Sequence, residues 1–119
     1  MARWEATEDQ IRECARRSAR ILKTPGVWAQ GYDACGVAGK HECASTATLR
    51  AAIVGMGREG GRGSGDLADA VIRRVASLLS LDSLAAVILW NDTPGRTADE
   101  VIAVLERVAA GEGADPREA

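Results

Sequence analysis

The chain has 119 residues and a formal net charge of −2, with 46% hydrophobic residues. That is the size of one domain, with enough apolar material for a core, so wholesale disorder is excluded. The slight acidity argues against a general nucleic-acid coat, and no apolar run reaches the ~20 residues of a membrane-spanning helix.

The composition is unusual in one respect. Phe is absent and Tyr occurs once, so Leu, Ile, Val, Ala and three Trp must fill the interior. Lys23 and Lys40 are the only lysines among fifteen cations; with so much Ala and Gly, the Arg excess suits a GC-rich coding bias. The start, Met1-Ala2-Arg3-Trp4-Glu5, lacks the apolar stretch of a secretory leader. Three cysteines without repeated spacing do not suggest a disulfide framework. The expected location is the cytoplasm.

Thr7-Glu8-Asp9-Gln10 fits a capping box, with Thr7 as N-cap. A helix is expected from there to about Lys23. Ile11, Cys14, Ala15, Ser18, Ile21 and Leu22 share one face, while Arg12, Arg16, Arg20 and Lys23 line the other. Thr24-Pro25-Gly26 ends it, since Pro cannot continue a helix and Gly tolerates a left-handed residue. Val27 to Tyr32 suits one short extended segment. Asp33 to Lys40 is a loop, and a second helix is expected from about Glu42–Ala44 to Val54, with Leu49 and Ile53 turned to the core.

Six glycines between Gly55 and Gly65 make that stretch a flexible connector. Ser64 or Asp66 then caps a third helix reaching about Leu79, with Leu67, Val71, Val75 and Leu78 inward. Leu81 to Asn91 is apolar almost all round and is expected to be the most buried helix. Thr97-x-x-Glu100 is a second capping box, and the last helix buries Val101, Val104, Leu105 and Val108. The expected fold is therefore all-α, a compact bundle of about five helices with a Gly-rich loop. Residues 1–110 form one helical domain, and residues 111–119 form a tail that frays.

Four constellations invite chemical readings. The turn Trp90-Asn91-Asp92-Thr93-Pro94-Gly95-Arg96-Thr97 has a structural reason for each residue. Asn91 or Asp92 ends a helix, Pro94-Gly95 suits a type II turn, Arg96 can pair with Asp92 or Asp99, and Thr97 caps. The same turn sets an aromatic ring, an amide, a carboxylate and a guanidinium side by side. Joined to Trp28, Gln30 and Tyr32, it makes a candidate ligand- or partner-binding site of Trp28, Gln30, Tyr32, Trp90, Asn91, Asp92 and Arg96. That site requires the two segments to converge.

Cys35, His41 and Cys43 offer three metal-binding atoms, but the paired spacing of a tetrahedral zinc site is missing. His41 and Cys43 are two apart, which on a helix does not bring their side chains together. Gly55-x-Gly57-x-x-Gly60 matches the dinucleotide fingerprint by letter only, because a helix rather than a strand precedes it. Arg12, Arg16 and Arg20 on the first helix, with Arg58 and Arg62 in the Gly-rich loop, form a nucleic-acid candidate. No catalytic set and no cofactor site emerges.

Trp28-x-Gln30-Gly31, Cys43 ahead of an Ala-rich helix, and Trp90-Asn91-Asp92-x-Pro94-Gly95-Arg96-Thr97-x-x-Glu100-Val101 together resemble an uncharacterised family of small proteins. Its members are encoded by actinobacteria and their phages and carry a domain of unknown function. The likeness runs over about residues 7–110, and this chain departs from it in a longer Gly-rich linker. The resemblance implies a phage or mobile-element setting, in which small accessory proteins bind host components. It brings no catalytic residues. The leading expectation is a helical interaction module, a phage or host-defence accessory protein that binds a host protein or self-associates. The alternatives are a small-ligand-binding protein or enzyme using the Trp/Gln/Asn/Asp/Arg pocket, and nucleic-acid binding through the arginines.

Overall fold

A computed structural model describes residues 5–30 and 61–114. They form α1 (Glu8–Lys23), α2 (Gly61–Leu78), α3 (Leu84–Asn91) and α4 (Ala98–Ala109). Among the described residues there is no strand, and the fold is all-helical. The helix expected at 42–54, the loop at 33–40 and most of the Gly-rich connector lie outside them.

α1 starts as its sequence dictates. Thr7 Oγ1 accepts from the Gln10 amide at 3.1 Å, and Gln10 Oε1 accepts from the Thr7 amide at 2.9 Å. Both halves of the capping box are thus made. The helix buries Ile11, Cys14, Ala15, Ser18, Ala19 and Leu22, close to the expected face, with Ile21 only half-buried. The hydroxyl of the buried Ser18 donates to the Cys14 carbonyl at 2.8 Å, which satisfies it within its own helix.

Ala15, Ser18 and Ala19 are short, so α4 can lie close along α1, and this is the most extensive helix pairing among the described elements. Arg12 meets Ala109 and Leu22 adjoins Ile102, so the two helices run antiparallel. α4 contributes Val101, Val104, Leu105 and Val108, as its pattern requires, together with Ile102 and Ala109. α2 completes the core with Leu67, Val71, Ile72 and Val75.

Three features differ from the sequence reading. α2 begins at Gly61, ahead of the expected caps at Ser64 or Asp66, so five residues of the connector are helical. α3 begins at Leu84, capped by Ser83, whose Oγ accepts from the Ala86 amide at 3.1 Å. α3 is also not the most buried helix: only Val87 and Asn91 are buried, and Leu89 is 70% exposed. Hydropathy alone misplaced it, because α3 packs on α2 along one edge and its apolar residues occupy every side.

The helix ends are closed by local bonding. After α2, Ser80 adopts φ +57, its amide donates to Ser77 O and the Leu81 amide to Ala76 O. After α4, Gly111 adopts φ +90, its amide donates to Val108 O and the Glu112 amide to Arg107 O. Both are Schellman closures.

Candidate functional site

Two copies of the tripeptide Thr-Pro-Gly build the site. After α1, the Val27 amide donates to Thr24 O at 3.2 Å across Pro25 and Gly26. After α3, the Arg96 amide donates to Thr93 O at 3.0 Å across Pro94 and Gly95. Gly26 and Gly95 have φ +80 and +87, the left-handed residue a type II turn needs at its third position. The first turn delivers Trp28 and Gln30; the second ties α3 to α4.

These segments, about sixty positions apart, converge on Asn91. Its side chain is completely buried. Asn91 Oδ1 accepts from Trp28 Nε1 at 2.8 Å. Asn91 Nδ2 donates to Ala29 O and to Asp92 Oδ1, each at 3.1 Å. Gln30 Nε2 donates to Asn91 O at 2.9 Å and to Thr93 O at 2.8 Å. The amide of Asn91 is read at both ends, so its orientation is fixed. An Asn at the end of an apolar helix is thereby buried without an unsatisfied atom.

Arg96 completes the corner. Its guanidinium carbon stands 4.3 Å from the Trp90 ring centroid, a cation–π distance. Arg96 Nε donates to Trp90 O at 3.0 Å, and Nη1 reaches Glu100 Oε2 at 2.6 Å. The carboxylate that takes Arg96 is therefore Glu100, where the sequence pointed to Asp92 or Asp99. Glu100 sits at the third helical position for the capping box of Thr97, which aims it back at the turn. The Arg96 hydrogen bond, followed by the Thr97 amide, lowers the Glu100 pKa.

The model of a family of unknown function, DUF6197, matches residues 6–111. The chain belongs to that family. Among curated proteins and among solved structures, nothing matches. In this DUF6197 member, the two stretches that suggested a family in the sequence, around Trp28 and around Trp90, are the two halves of one hydrogen-bonded clasp.

The remaining candidates distribute as follows. Tyr32, Cys35, His41, Cys43 and Arg58 lie outside the described residues. Arg62 falls on the first turn of α2. Arg12 Nε donates to Ala109 O at 3.2 Å and closes the end of α4. Arg16 is paired with Glu13, and Arg20 is exposed. Among the described residues no group of three His, Cys, Asp or Glu stands close enough to hold a metal, and no helix is long and apolar enough to cross a membrane.

Sequence reasoning missed two partners of the clasp, the carbonyls of Ala29 and Thr93. Thr93 opens the second Thr-Pro-Gly turn, which was a signal for its carbonyl, whereas Ala29 lies outside both repeats and nothing in the sequence marked it. It also missed the pairing of Glu8 with Arg74, whose guanidinium donates to both carboxylate oxygens at 3.0 and 2.9 Å.

Proposed function

We propose that this chain is a small helical protein-interaction module acting in the cytoplasm, and that the outer face of α3 is the surface it offers. The observation that carries this reading is the exposure of Leu89 and Ile88, 70% and 37%, on a helix with no charged residue. Fully burying such a side chain is worth roughly 1.5–3 kcal/mol. The clasp supports the reading differently. Trp28 donates to Asn91, Gln30 donates to the backbone of Asn91 and Thr93, and Arg96 donates to the Trp90 carbonyl and Glu100, which holds α3 in place. The small-ligand alternative needs the convergence of these segments but also needs their polar groups turned toward a ligand. The phage or host-defence setting, with a host protein or a second copy as partner, belongs to this proposal.

The test is a photo-crosslinking amino acid at position 89, compared with position 103, an exposed site on α4. The expected outcome is one discrete higher-mass adduct from position 89 and none from 103, with Leu89→Arg abolishing any oligomer seen by light scattering. A monomer with no adduct at position 89 overturns the reading.

A further inference from the structure

A second surface carries charge instead of apolar area. Along α1, Arg16, Arg20 and Lys23 face a groove of about 330 Å³ whose floor is Ala19, Ala109 and Ala110. Glu106 is the carboxylate on its rim. The neighbouring end of α4 does not require these three cations, because Arg12 already donates to Ala109 O.

The ion pairs that quench them are exchangeable. Arg16 shares Glu13 with Arg17, so one carboxylate serves two guanidiniums. Lys23 meets Glu106 at 3.4 Å with both side chains more than half exposed. Such pairs contribute little and yield readily to a better partner. Arg20 is exposed between them. On a chain of net charge −2, this is a local excess of positive charge.

We infer that this groove binds a carboxylate-rich segment of a partner protein in extended conformation. Side chains two apart on an extended strand project the same way at about 6.6–7 Å. Cations four apart on a helix stand about 6 Å apart along its axis, so acidic side chains two apart on the strand meet Arg16 and Arg20 in register. Guanidinium groups favour carboxylates through paired N–H donors, and the alanine floor leaves room for a backbone. Nucleic acid suits the groove less well. Its affinity comes chiefly from neutralising several phosphates at once, where this groove offers three cations beside a carboxylate, and no aromatic ring lines it to stack a base. The inference uses no residue of α3 and stands or falls independently of the interaction face proposed above.

A fluorescein-labelled decaglutamate peptide is the probe, read by anisotropy at low salt on the full chain. The expected result is saturable binding that weakens as salt rises from 50 to 200 mM. Arg20→Glu is expected to weaken it about tenfold, and Arg20→Gln less but in the same direction. Arg73→Glu, an exposed site on α2 outside the groove, changes net charge equally and is expected to change affinity less than about twofold. Circular dichroism checks that all three variants fold. No binding, or equal losses for Arg20→Glu and Arg73→Glu, overturns the inference. So does a DNA duplex that binds more tightly than the peptide at the same salt.

Discussion

Asn91 makes the corner depend on a single amide. Its oxygen and nitrogen are each committed, and its side chain has no exposure to water. Asn91→Ala leaves the Trp28 N–H and the Ala29 carbonyl without their partner and is expected to cost about 2–3 kcal/mol in denaturant unfolding. Asn91→Asp replaces the donor with an oxygen aimed at the Ala29 carbonyl and the Asp92 carboxylate. At pH 7 it is expected to destabilise at least as much, and the deficit should narrow as pH falls toward 5, because protonating the introduced carboxyl restores a donor. Cys14 tests burial at the same scale. Burial pushes its thiol up to about 11 from 9.0. A raised thiol pKa stabilises the fold below the unfolded value of 9.0, and that stabilisation is lost as pH rises through about 11. Cys14 is expected to resist iodoacetamide at pH 8 until denaturant is added, read by peptide mass mapping.

At the scale of the element, helix endings carry the testable energetics. Ser80 holds φ +57 at the end of α2, where glycine is the easier residue. Ser80→Gly is expected to stabilise by about 0.5–1 kcal/mol, seen as a melting temperature higher by a few degrees. Gly113 is the opposite case. Its φ is +79, and a Cβ there would stand 2.8 Å from Arg74 Cδ. Gly113→Ala is therefore expected to destabilise by at least about 1 kcal/mol. Elements governed by nearest neighbours were legible in the sequence. Both capping boxes, the Pro94-Gly95 turn and the inward faces of α1 and α4 follow from spacings of four residues or fewer. The burial of α3 was not legible, because an all-round apolar helix carries no pattern to say which side meets the core. The meeting of Trp28 with Asn91 could be posed from sequence but not decided, since nothing local records contacts sixty residues apart. Arg96 was assigned the wrong acid because three carboxylates stood within reach and only the capping geometry selects Glu100.

At the scale of the whole molecule, Glu8 and Arg74 join the start of α1 to the last third of α2. Their side chains are only 17% and 11% exposed, so this pair is screened far less than the surface ones. The Arg74 hydrogen bond lowers the Glu8 pKa. A lowered carboxyl pKa stabilises the fold above the unfolded value of 4.5, and that stabilisation is lost as pH falls through the folded value. Glu8→Gln is expected to cost about 1–2 kcal/mol at pH 7 and less in acid, measured as urea midpoints across pH 3–7.

The clasp also gives the protein a built-in optical reporter. Two of its three indoles, Trp28 and Trp90, sit in that single corner, one hydrogen-bonded to Asn91 and the other beneath Arg96. Their emission during a thermal scan is weighted toward the corner, whereas far-ultraviolet ellipticity follows the helices as a body. If the corner releases before the bundle melts, the two traces separate; if the molecule unfolds in one step, they superimpose.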